Sequence, residues 1–105
     1  MMKIKRIKEV EILSSKFSII WDKNTDGGYF DWAEGKIIIG IKTIDNDPLY
    51  VFQVLSHEIL EIILIGLGAR FSNGRIQGNY LFNFDHQTFE NAIQIHTQTL
   101  NKFLQ

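Results

Sequence analysis

The chain lacks cysteine altogether and has a single proline among its 105 residues. The absence of cysteine excludes disulfide scaffolds, cysteine-rich zinc sites and thiol nucleophiles, and it favours a reducing compartment. Neither sign of charge is in excess, since 11 basic and 12 acidic side chains give a formal net charge of −1. This balance disfavours a general polyanion-binding surface. Because the chain has no cysteine, any metal site must be built from histidines and carboxylates.

Long hydrophobic runs are also missing. The most apolar segment, residues 59–69, contains Glu61 and is well short of the roughly 20 residues that a membrane span needs. The first twenty residues are basic in character, but they have neither the continuous apolar stretch nor the small-residue cleavage site of a secretory signal. We therefore predict a chain without a membrane span, located in the cytoplasm.

Four basic residues fall within the first eight positions: Lys3, Lys5, Arg6 and Lys8. They alternate with isoleucines and are followed at once by Glu9 and Glu11, a pattern typical of the solvated side of an edge strand. We favour this interpretation over a nucleic-acid-binding arm, and we do not expect nucleic acid as a partner.

The apolar pattern predicts strands in the first part of the chain. Strand-like runs cover residues 3–12 and 16–22. Two further runs, residues 29–32 and 36–41, bracket a short connection with the glycine expected of a hairpin. Three aromatic side chains of this part are expected to pack on the sheet rather than to bind a substrate: Trp21, Tyr29 and Trp32.

A helix is predicted to start at Asp47 and Pro48. Asp47 can accept the first free backbone N–H groups, and Pro48 at the first helical position gives up a donor that has no partner. The helix should run over residues 48–67, with apolar residues on more than one face, which is typical of a central helix. Residues 70–84 then indicate a loop with a turn at 72–74 and a short strand at 79–84.

A second helix is predicted over residues 86–104, capped by Asp85. At about 100° per residue, one apolar stripe contains five of its residues: Phe89, Ile93, His96, Leu100 and Phe103. His86 heads the helix on the same inward side. The sequence thus predicts a single α+β domain over residues 1–105. Its small, mostly antiparallel sheet would carry a central first helix and an amphipathic C-terminal helix.

His57, Glu58 and Glu61 form an HExxE motif in the middle of the first helix. Positions i and i+4 share a helical face, so His57 and Glu61 can both reach one ion. Glu58 lies on the adjoining side, where a water on that ion would be. The motif therefore predicts a metal site with His57 and Glu61 as ligands.

The third ligand stays open between two residues of the second helix. His86 would complete a set of two histidines and one carboxylate, which suits Zn²⁺ with a free position for water. Glu90, one turn further, would instead give a neutral site that is a weaker Lewis acid and suits Mn²⁺ or Fe²⁺.

Three parts of the sequence resemble the small zincin-type metallopeptidase domains encoded in phages and mobile elements: residues 28–32 leading to 37–39, 55–63, and 100–104. The likeness follows the order of elements over about residues 1–104, and such domains carry HEILH where this chain has HEILE. The resemblance implies that His57 and Glu61 occupy the positions of two zinc ligands and that Glu58 is the general base. It further implies a third ligand from the next helix and activity on a peptide or protein substrate.

Other interpretations of the same residues compete. Glu61 stands between Leu60 and Ile62 and needs a partner if it is buried. Besides a metal ion, the candidate partners are His86, His96, Arg70 and Arg75, although His96 is expected to be a satisfied core or interface histidine.

Three functions follow from these observations. The first is a metal-dependent hydrolase in which an edge strand at residues 36–41 holds the peptide by backbone pairing. The second is a zincin-like interaction or regulatory module without metal. The third, a small nucleic-acid-binding regulator, rests only on the basic start of the chain. We favour the first.

Overall fold

The computed structural model describes residues 2–72 and 80–105. In this part of the chain the elements are β1 (Glu9–Ile12), β2 (Ser15–Asp22), β3 (Gly28–Asp31), β4 (Lys36–Gly40), α1 (Pro48–Gly66), β5 (Arg70–Ser72), β6 (Tyr80–Phe82) and α2 (His86–Asn101). This is the predicted α+β class. Residues 73–79, which include most of the expected turn at 72–74, lie outside the described residues.

The first four strands form one sheet in the order β1-β2-β4-β3. β1 pairs with β2 and β3 pairs with β4 in antiparallel fashion, whereas β2 and β4 run parallel with Ile19 opposite Ile37. The sheet is therefore mixed. β5 and β6 form a separate two-stranded antiparallel ribbon.

β4 is a central strand, so the expectation of an edge strand at residues 36–41 is wrong. β4 is hydrogen-bonded on one side to β2 and on the other to β3. Its side chains Ile37 and Ile39 are completely buried, which is typical of an inner strand covered by a helix. In the described part of the chain, the sheet edges are β1 and β3.

The basic start of the chain pairs with the C-terminus instead of extending β1. Ile4 forms an isolated antiparallel bridge with Leu104, and the Lys5 amide donates a 2.6 Å hydrogen bond to the Phe103 carbonyl. The predicted strand over residues 3–12 is therefore regular only from Glu9 onward.

Trp21 packs against the body of the domain as predicted, whereas Trp32 packs on one side and stays 40% exposed. The ring of Trp21 packs edge-on against Phe103 at a centroid distance of 6.2 Å, and the ring of Trp32 packs edge-on against Phe17 at 5.5 Å. Tyr29, by contrast, is mostly exposed, so its ring does not pack on the sheet.

α1 is the central helix that the sequence predicts. The Asp47 carboxylate accepts a hydrogen bond from the Tyr50 amide at 3.1 Å, and Gly68, just past the helix end, has φ of +72°. Seven residues of α1 are buried: Val51, Leu55, Glu58, Ile59, Ile62, Ile63 and Leu64. The helix is long and apolar enough to cross a membrane by length and composition alone. Its buried apolar side chains belong to the core that it shares with the sheet, whereas Leu49 and Tyr50 are exposed.

The buried face of α2 differs from the predicted apolar stripe. Phe89 and Ile93 are exposed, while Ala92 and Thr99 are buried. Ala92 belongs to the core cluster, and His96 on the same helix contacts α1. His86 is exposed rather than inward-facing. The expected apolar stripe is therefore wrong in its first two turns.

His96 fastens α2 to α1. Its Nε2 atom lies 3.1 Å from both the hydroxyl and the backbone carbonyl of Ser56. The expectation of a satisfied core or interface histidine is confirmed, and His96 lies partly buried between the two helices.

Removing the cap of α1 should destabilise the fold by about 1 kcal/mol. Asp47→Ala leaves the Tyr50 amide without its side-chain acceptor, whereas Asp45→Ala removes an exposed acid two residues earlier and serves as the control. Urea unfolding followed by circular dichroism measures both. Equal stabilities of the two variants would show that the cap contributes nothing.

Candidate metal centre

Three of the five predicted site residues converge on one face of α1. His57, Glu58 and Glu61 each offer a ligand atom, and these atoms all lie within 4.8 Å of one another. The His57 Nε2 atom lies 3.5 Å from Oε2 of Glu61 and 3.8 Å from Oε2 of Glu58. The i, i+4 spacing in the sequence thus brings His57 and Glu61 together as predicted.

The three side chains differ in how much of their surface is exposed to solvent. The side chain of His57 is 66% exposed, that of Glu61 is 21% exposed and that of Glu58 is 10% exposed. Glu58 borders the apolar side chain of Ile59, which is completely buried. The group therefore lies where the helix leaves the core, with its imidazole toward water.

Burial raises the pKa of the Glu58 carboxyl above its ordinary value. The attraction of His57 opposes this effect, the negative charge of Glu61 adds to it, and the positive charge of Arg70 opposes it. A raised pKa makes a carboxylate a better proton acceptor near neutral pH. This is the property that a general base requires.

The spacing of the donor atoms fits a tetrahedral ion. Zn²⁺ bonds of about 2.0–2.2 Å to nitrogen and oxygen, set at the tetrahedral angle, separate two donor atoms by about 3.4 Å. The 3.5 Å between His57 and Glu61 matches this value, whereas the 3.8 Å between His57 and Glu58 exceeds it. The group of His57, Glu58 and Glu61 could therefore hold a metal ion.

His86 and Glu90 lie apart from this group. His86 Nε2 is 3.7 Å from Oε1 of Glu90, and the two side chains are 82% and 59% exposed. In residues 2–72 and 80–105, the group of acidic and histidine side chains that could hold an ion includes neither of them. The orientation of α2 that exposes Phe89 also turns His86 to solvent, so α2 does not supply the expected third ligand.

The other residues that were expected as partners of Glu61 have different contacts or lie outside the described residues. His96 binds Ser56, and Arg75 lies outside the described residues. The Arg70 guanidinium stacks over the ring of Tyr80 at 3.4 Å. The sequence named Arg70 only as a partner for Glu61, because it gives no sign that the ribbon places an aromatic ring beneath it.

No protein-family model, curated protein or solved structure matches this chain. The zincin-like assignment thus stays a prediction that rests on the sequence motif and on the geometry of α1.

The raised pKa of Glu58 predicts how stability depends on pH in the metal-free protein. Between the ordinary glutamate value of 4.5 and the raised value, the folded state binds more protons than the unfolded state, so the free energy of unfolding falls as pH rises. Glu58→Gln removes this term. The variant should therefore gain stability relative to the wild type as pH is raised from 4.5 to neutrality.

Thermal unfolding in EDTA at several pH values measures this difference. Glu90→Gln, which removes an exposed carboxylate from the other helix, is the control. A Glu58→Gln variant whose stability follows that of the wild type at every pH would contradict the burial argument.

Proposed function

We propose that this chain is a zincin-like, metal-dependent hydrolase that binds Zn²⁺ at His57 and Glu61 and cleaves peptide bonds with Glu58 as general base. The observation that carries the proposal is the 3.5 Å separation of the His57 and Glu61 donor atoms beside a desolvated Glu58 carboxyl. Zn²⁺ is the proposed ion and Mn²⁺ or Fe²⁺ are the alternatives, since histidine nitrogen and carboxylate oxygen can bind all three.

The imidazole and one carboxylate leave the remaining coordination positions to solvent and substrate. When bound, the ion supplies Lewis-acid chemistry by polarising a carbonyl and by making water more acidic. The ion together with its two ligands, one neutral histidine and one carboxylate, would carry a net charge of +1. An ion with this net charge would remain an effective Lewis acid.

Glu58 would act as the general base and then as the general acid. Its carboxylate takes up a proton from the attacking water and returns it to the leaving amine. The partly buried position of Glu58 limits competing solvent around the carboxylate, and the raised pKa brings its proton affinity closer to neutral pH.

A peptide or protein is the proposed substrate, and the cytoplasm is the proposed location. Because β4 is central, the strand available for backbone pairing is β3, which forms an edge of the described sheet and packs against α1.

A non-catalytic module of the same fold is the second candidate. The 3.5 Å separation of His57 and Glu61 also suits an ordinary ion pair, and two ligands from one helix form a small ligand set. In that case the surface around α1 would bind a partner and no metal.

Elemental analysis of protein purified without a histidine tag decides between these candidates. We expect one zinc ion per wild-type chain and its loss in His57→Ala and in Glu61→Gln. His86→Ala is the matched control, because His86 and Glu90 form the same i, i+4 pair on α2. A wild type that takes up neither Zn²⁺ nor Mn²⁺ would establish the non-catalytic module instead.

Glu58→Gln should retain the metal and lose turnover by about 10²–10⁴-fold, the usual contribution of a general base. Cleavage of a peptide mixture, followed by mass spectrometry, measures turnover, and zinc content confirms that the site is intact. Full activity of the zinc-loaded variant would exclude Glu58 as the base.

A further inference from the structure

A shallow cleft of about 370 Å³ lies at the C-terminal part of α1. Ile65 of α1 lies in its wall one helical turn beyond Glu61. The remaining lining comes from the end of β3 and from the ribbon: Phe30, Trp32, Arg70 and Tyr80. The cleft is thus mostly aromatic, with one cation.

The cation is held in place by aromatic rings. The Arg70 guanidinium carbon lies 3.4 Å from the centroid of the Tyr80 ring and 5.7 Å from that of Phe30. Stacking of this kind occupies the flat faces of a guanidinium. The N–H donors of Arg70 point outward in its plane, so stacking leaves them able to bind an acceptor.

Arg70 forms no salt bridge with an acidic side chain of the described residues, although its charge acts on Glu58 from beyond contact distance. Residues 73–79 contain no aspartate or glutamate. A partly buried guanidinium in an aromatic cleft is a strong site for a carboxylate, which it can bind through two parallel hydrogen bonds.

We propose that the cleft binds a peptide carboxylate through Arg70 and the adjacent apolar side chain through Phe30, Trp32 and Tyr80. As a statement about substrate, this inference rests on the proposed function. Ile65 follows Glu61 by four residues, a rise of about 6 Å along the helix. An extended peptide covers that distance in about two residues. The preferred substrates therefore carry a carboxylate near the bond that is cleaved.

Titration of the ¹⁵N-labelled full chain in EDTA tests the cleft without the metal. The probes are acetyl-Ala-Phe with a free C-terminal carboxylate, the same peptide as its amide, and acetyl-Glu-Phe amide. The indole N–H signal of Trp32 reports on the cleft, and that of Trp21, which donates to the Ile7 carbonyl, is the internal control. Trp32→Phe assigns the two signals.

We expect at least one carboxylate probe to shift the Trp32 signal and to bind about tenfold or more tightly than the amide of acetyl-Ala-Phe. The two carboxylate probes show whether the terminal or the side-chain carboxylate is preferred. Arg70→Gln should abolish the difference, and Arg70→Lys should reduce it, because lysine retains the charge and loses the planar pair of donors. Arg6→Gln, which removes a cation from a different cavity, should leave it unchanged.

Equal binding of all three probes, or a preference that persists in Arg70→Gln, would overturn the proposal. Circular dichroism checks the fold of that variant, and the wild-type comparison of acid with amide needs no variant at all. Carboxylate binding in a chain that takes up no zinc would leave the cleft assigned and overturn the hydrolase. Zinc binding without a carboxylate preference would overturn the assignment of the cleft and leave the hydrolase proposal standing.

Discussion

The packing of α1 against the four-stranded sheet is the constraint on which the fold and the candidate metal centre both depend. Val51, Leu55, Ile59 and Ile62 are completely buried, and burying each such side chain contributes roughly 1.5–3 kcal/mol. These contacts fix the rotation of the helix about its axis. The rotation in turn puts the HExxE motif at the margin of the core, so the position of the site follows from apolar packing and not from attraction among its polar groups.

This position has an electrostatic cost. Glu58 is largely withdrawn from water, and a second carboxylate, Glu61, lies in the same group. His57 and Arg70 offset part of the repulsion, but two ionised carboxylates beside a neutral imidazole would still carry a formal charge of −2. A divalent cation cancels that charge with its own, whereas protonation of the imidazole cancels only half of it. This charge is the physical reason for the metal ion that we propose at the group, although protonation of Glu58, whose pKa is raised, also lowers it.

Local signals in the sequence were sufficient for the helices and most strands. Asp47 with Pro48 marks the start of α1, and the alternation of Phe17 and Ile19 marks β2, because caps and apolar periods depend on near neighbours. The parallel pairing of β2 with β4 could not be predicted in this way, since pairing partners are chosen by the whole chain. The same holds for α2, because the face that a helix buries depends on the elements against which it packs.

The two helices offer a comparison that separates spacing from environment. His57 with Glu61 and His86 with Glu90 share the i, i+4 arrangement and nearly the same separation, 3.5 and 3.7 Å. Sequence spacing alone therefore does not distinguish the two pairs. They differ in burial, because the carboxylate on α1 is mostly withdrawn from solvent and has Glu58 beside it, whereas both side chains of the α2 pair face water. Charges interact more strongly where water is excluded, so only the α1 pair has the surroundings in which a bound ion could do chemistry.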